Sequence, residues 1–180
     1  MASLAALSSG PVSIRDVSIY HTDTEASLRL YYSDASPDFS ARFIGYLPDE
    51  VAEELGDRLE ETDVRSSLAI LVRLEAAFRK DFLIRCQKRK KDGLSRIFRD
   101  LHKQKQMRIG LEDDILESWR RVHPEFRDIV GHLRGAFRFR HWLAHGSYWV
   151  PKLGRKYDYP SIYAIADAAF SVFPLYRLEQ

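Results

Sequence analysis

Arg138-Phe139-Arg140-His141-Trp142-Leu143-Ala144-His145-Gly146 ends a helical pattern with a cationic fork, two imidazoles and a helix-stopping glycine, in a segment otherwise patterned for burial. On a helix His141 and His145 are four apart and share one face. Arg140 and His145 lie roughly 140° apart on the helical wheel, a gap that the long arginine stem can bridge to make one small site. Gly146 is a suitable C′ residue because it accepts the left-handed conformation that closes a helix. His145 then falls in the last turn, where the dipole favours the imidazolium by about 0.3 to 1 kcal/mol. That leaves its titration near neutral pH, as general acid-base work requires.

Upstream of this stretch, Pro124 opens the helix, and Phe126, Ile129, Val130, Leu133, Phe137 and Leu143 carry its apolar face. Gly131 and Gly135, four apart, offer a groove for the close approach of another helix. Leu111, Ile115, Leu116 and Trp119 mark a preceding helix, and Leu94, Ile97, Phe98 and Leu101 another, set off by Asp92-Gly93. The longest pattern runs over 63–90, with Thr62 or Asp63 as its cap and Val64, Leu68, Leu71, Phe78 and Phe82 as its core stripe. Glu75 interrupts that stripe and needs a partner, because an isolated buried charge is costly. Arg79, at i+4, is the local candidate and Arg140 the tertiary one, which would fix the guanidinium within the site. A shorter acidic helix is expected from Pro48 to about Glu60.

At the N-terminal end, Val17-Ser18-Ile19-Tyr20 and Ser27-Leu28-Arg29-Leu30-Tyr31-Tyr32, joined by a polar link, read as a β-hairpin, with Arg42-Phe43-Ile44-Gly45-Tyr46 as a possible third strand. The opening MASLAALSSG reads as a frayed terminus without the features of a signal peptide. Downstream, Trp149 to Tyr157 reads as an extended turn, and Ser161 as the cap of a final apolar helix. The expectation is a mainly α chain: an N-terminal extension with short strands over 1–46 and a helical domain over 47–180.

With 180 residues, 45% of them apolar, the chain can bury a core. Cys86 is the sole cysteine, so no intramolecular disulfide forms and a reducing, cytoplasmic setting is expected. No apolar run approaches the roughly 20 residues of a membrane span. Charge is segregated: 49–63 carries eight carboxylates against Arg58, and 85–108 carries ten Lys or Arg against Asp92 and Asp100. The positive block suits a polyanion such as RNA, and equally a solvated face balanced by the acidic helix.

Three chemistries compete for the motif, against a purely structural role in which Arg140 and His145 are packed, hydrogen-bonded residues at a helix end. A zinc protease helix needs glutamate after the first histidine, where Trp142 stands, and two imidazoles alone leave a metal short of ligands. Nucleophilic hydrolysis lacks a setting, since Cys86 follows an apolar run and Ser147 has no nucleophile elbow. Phosphodiester cleavage needs a base of near-neutral pKa and a fixed cation, which His145 and Arg140 supply; RNA brings its own 2′-hydroxyl nucleophile, so neither metal nor cofactor is called for.

Arg140-His141-Trp142-Leu143-Ala144-His145-Gly146 also resembles the R-x(4-6)-H signature of the HEPN superfamily (higher eukaryotes and prokaryotes nucleotide-binding), where a polar residue commonly follows the arginine and His141 fills that place. The resemblance covers roughly 50–175. It implies a HEPN-like antiparallel helical bundle and a metal-independent endoribonuclease of toxin, abortive-infection or defence type, active as a homodimer with a composite site. Carried onto this chain, His145 is the acid-base group, Arg140 binds the scissile phosphate and His141 assists. Arg138, Arg134 and Lys152 would hold substrate, with Glu75 in support. An antitoxin or other regulatory partner is also implied. Toxins regulated by AMP transfer often carry a tyrosine two residues after the histidine, whereas here Ser147 stands there and Tyr148 follows. The superfamily also includes non-catalytic nucleotide- or RNA-binding and interaction modules.

Overall fold

The computed structural model describes residues 13–144 and 157–176. Helix accounts for 82% of these with no strand among them, so the mainly α expectation holds and the β-hairpin does not. The helices are α1 (Ile14–Tyr31), α2 (Phe39–Arg42), α3 (Pro48–Gln87), α4 (Gly93–Lys105), α5 (Glu117–Val122), α6 (Arg127–Ala144) and α7 (Tyr159–Val172). The chain divides into two compact units, Met1–Ser66 and Ser67–Gln180, with α3 running through the boundary.

In the first unit, the segment read as a hairpin is one helix. Ser13 opens it with a capping box: its hydroxyl accepts from the Asp16 amide at 3.1 Å, and Asp16 Oδ2 accepts from the Ser13 amide at 2.7 Å. The polar link that suggested a turn lies inside the helix. Thr24 and Ser27 each donate a hydroxyl to the carbonyl four residues back, at 2.7 Å, and Arg29 pairs with Glu25 at 2.7 Å. Its buried face is Val17, His21 and Tyr32, at helical spacing with a histidine at its centre, while the more apolar Ile19, Tyr20, Leu30 and Tyr31 face outward. Those outward residues supplied the strand-like signal. His21 Nδ1 lies 3.2 Å from Ser66 Oγ, and the Tyr32 hydroxyl donates to Glu54 at 2.8 Å, joining α1 to the first part of α3. After α2, Gly45 takes φ +83°, a left-handed turn that favours glycine, before Glu50 accepts from the Leu47 amide at 2.7 Å to start α3.

The two helices expected over 48–60 and 63–90 are one, about 60 Å long at 1.5 Å per residue. Thr62 does not cap anything: its hydroxyl donates to the Arg58 carbonyl at 2.8 Å, and Arg58 and Arg65 bridge to Glu61 along the continuing helix.

The second unit is a bundle-like core. Ile70, Leu71, Leu74 and Phe78 of α3 are fully buried, as are Phe98 of α4, Trp119 of α5, Leu133 of α6 and Ile162 of α7. Phe173, just beyond α7, stacks edgewise on Phe78 and Trp119 at ring distances of 5.0 and 5.2 Å, tying three segments together. Asp92, where the sequence breaks between two helical patterns, caps α4, accepting from the Ser95 amide at 2.9 Å. The cap of α7 is Asp158 rather than Ser161; Ser161 is its partner three residues on in a capping box. Between α4 and α5, Leu111–Leu116 forms a π-helical turn.

Candidate functional site at the end of α6

Leu133, Ala136 and Phe137 form the buried stripe of α6, and Arg140 follows on the same stripe at i+7, i+4 and i+3. Its backbone therefore aims it toward the core side, where Nη1 meets Glu75 Oε2 at 2.6 Å. The other oxygen of Glu75 accepts from Arg79 Nε at 2.7 Å, and Arg79 Nη1 reaches the Ile109 carbonyl at 3.3 Å. The local and tertiary partners of Glu75 are thus both real, one on each oxygen. A carboxylate within a core stripe is satisfied twice, and Arg140 remains partly open to solvent, with donors that no described residue engages.

Arg134, Arg138 and His141, at i, i+4 and i+7, form a second row on α6, roughly 100–160° round the helix from Arg140. Arg134 Nη2 donates to Glu117 Oε2 at 2.8 Å and to the Glu112 carbonyl at 3.1 Å, so it is partly engaged inside the fold. Its Nε is buried without a hydrogen-bond partner. Arg120 hydrogen-bonds Glu117 and, with Arg134, holds its carboxyl below the usual range. Arg138 and His141 are exposed. Both act on Glu112, whose carboxyl burial pushes above its ordinary value against the opposing fields of Arg138, Arg134 and His141. The structure therefore joins Arg140 to Glu75, and Arg134 to Glu117 and the Glu112 carbonyl, while the charges of Arg138 and His141 act on the Glu112 carboxyl. Glu112 and Glu117 were missed in the sequence because they flank the apolar stripe Leu111, Ile115, Leu116 and Trp119, which accounts for the segment as core. His145, Gly146 and Lys152 lie outside the described residues, as do Ser147, Tyr148, most of the turn expected over 149–157 and the chain's opening residues.

The groove expected at Gly131 and Gly135 is half occupied by the chain itself. A Cβ on Gly135 would stand 1.8 Å from the Tyr157 hydroxyl, while Gly131 faces open space. Tyr157 is buried and stacks on Phe139 at 5.7 Å between ring centres, so it has little room to retreat. Gly135→Ala is expected to lower stability by about 1–3 kcal/mol, read as a reduced urea midpoint at unchanged slope.

Among the described residues no three His, Cys, Asp or Glu are placed to hold a metal. Burial pushes the Cys86 thiol up to about 11, so it is not a thiolate at neutral pH. The positive block is only partly a surface. Arg85 is buried, Arg99 donates to the Lys90 carbonyl at 2.6 Å and Lys105 pairs with Asp114. Lys88, Arg89, Lys91, Arg96, Lys103 and Arg108 stay exposed. No described helix is long and apolar enough to cross a membrane. Compared with protein-family models, curated proteins and solved structures, the chain gives no significant match.

Proposed function

We propose that this protein is a metal-independent endoribonuclease of HEPN type, working in the cytoplasm in a toxin or defence role. The supporting observation is the anchoring of Arg140 by Glu75 at the end of α6, which holds a guanidinium in place while leaving donors for a phosphate. In this reading Arg140 binds the scissile phosphate and His145 moves the proton between the 2′-hydroxyl and the leaving 5′-oxygen, with His141 assisting. Arg134, Arg138 and Lys152 hold substrate, and the exposed cations of 88–108 attract the backbone. Cleavage leaves a 2′,3′-cyclic phosphate and a 5′-hydroxyl. The test is incubation of purified protein with structured and unstructured RNA in EDTA, beside Arg140→Ala and His145→Ala. An inactive parent, or equal cleavage by all three, refutes the proposal. Inactive protein that still binds RNA or nucleotide supports a non-catalytic binding module instead.

One motif per chain makes a composite site a property of two copies, so a homodimer is part of the proposal, with an antitoxin or other regulator as a further partner. Light scattering at micromolar concentration is expected to give twice the chain mass, and a monomer would argue against a shared site. Glu75→Gln is expected to lower cleavage about tenfold or more while the helical circular dichroism signal stays intact, because the amide keeps the shape but loses the charge that fixes two guanidiniums. An unchanged rate would make Glu75 a structural partner alone.

A further inference from the structure

The first unit carries two apolar faces on α1, and only one is used. Val17, His21 and Tyr32 are buried toward α3. Ile19, Tyr20, Leu30 and Tyr31 form a second stripe roughly 130° round the helix. Each remains between 46% and 71% exposed. The stripe continues off the helix, since the Tyr31 ring meets Phe43 at 6.1 Å and Phe43 meets Tyr46 at 5.7 Å. Among the described residues, seven of the ten exposed large hydrophobic side chains fall between 19 and 47, which makes this a patch rather than scatter.

The charge of the unit selects what can cover it. Residues 13–66 hold 13 carboxylates against five arginines, one of which, Arg42, lies over the Tyr31 ring at 3.8 Å and donates to the Tyr31 carbonyl. Asp23 lies within the stripe and has no ion-pair partner among the described residues. Such a field repels RNA and anionic lipid and attracts cations. From Ile19 to Tyr31 the stripe spans roughly 18 Å, which suits three to four turns of a helix laid against it.

We propose that this face of α1 docks a cationic amphipathic helix of a partner protein, its apolar side on Ile19, Tyr20, Leu30 and Tyr31 and its lysines or arginines toward Asp23. This surface belongs to the first unit and does not rest on ribonuclease activity. The test uses the full chain with two fluorescein-labelled model peptides, each about four turns long, with leucine at i, i+4, i+7 and i+11 and either lysine or glutamate elsewhere. Anisotropy is expected to show the lysine peptide binding at least about tenfold tighter than the glutamate peptide, and Ile19→Gln/Leu30→Gln weakening it about tenfold, with Val72→Gln as an unaffected control. Equal binding of both peptides, or no loss in the double variant, overturns the proposal. So does a dimer by light scattering that becomes monomeric in the double variant, because a second copy then covers the face; a dimer built on the α6 motif would survive that change. Binding to phosphatidylglycerol-containing vesicles that the double variant abolishes would also overturn it, in favour of a lipid surface.

Discussion

Arg140→Ala is expected to slow RNA cleavage by about 10²–10³-fold, the usual cost of removing one fixed donor from a developing oxyanion. His145→Ala should cost about 10²–10⁴-fold, the range for an acid-base group. The two losses should not add, because both residues act on the same phosphate in one step. Arg140→Lys is expected to recover little, since the ammonium is a point charge and cannot give one donor to Glu75 and a parallel pair to a phosphate. The decisive comparison is Arg140→Ala alone against Arg140→Ala with Glu75→Gln. If Glu75 works by holding Arg140, the double variant is no slower than the single. A further loss would assign Glu75 a role of its own.

The second large effect concerns stability and lies away from α6. Arg85 and Asp81 are both buried, joined at 2.9 Å through Arg85 Nε. The guanidinium also donates to the Pro174 carbonyl at 3.2 Å and faces the rings of Trp119 at 5.0 Å and Tyr176 at 4.5 Å. Asp81 accepts from the Tyr176 amide at 2.9 Å, so the pair clasps the segment after α7. Burial pushes the Asp81 carboxyl up, against the Tyr176 amide and Arg85, which pull it down. Arg85→Met is therefore expected to cost about 3–5 kcal/mol at neutral pH, because it strands a buried carboxylate. A carboxyl whose folded pKa is raised binds its proton more tightly in the folded state, so its contribution to stability is present at low pH and lost as pH rises through the folded value. The urea midpoint of Arg85→Met should accordingly recover as pH is lowered from 7 toward the ordinary carboxylate range of about 4. A midpoint that falls with acidification would show that Asp81 is not what the variant strands.

Much of the second unit was legible because its signals are local. Asp92 before Gly93, the pause before Pro124 and the apolar stripes each specify a boundary or a face without help from the rest of the chain. Glu75 was legible as a charge needing a partner, but not as one that takes two. The first unit misled because the buried face of α1 is Val17, His21 and Tyr32, with His21 hydrogen-bonded to Ser66, whereas Ile19, Tyr20, Leu30 and Tyr31 point outward; hydropathy followed the wrong side. Thr62 and Asp63 have the composition of a cap, yet capping needs a non-helical backbone, and ion pairs along 54–65 keep that backbone helical. The contact of Arg134 with the Glu112 carbonyl falls within a π-helical turn, which no spacing rule in the sequence announces.

α3 continues without a break through the boundary between the two units. Helix formation propagates residue by residue once nucleated, so a helix shared by both units transmits order across Ser66 and Ser67 instead of ending there. Neither unit can melt fully without fraying a structural element of the other. Amide protons of α3 around that boundary should thus be protected from exchange as helical hydrogen bonds are, with no break at Ser66 and Ser67.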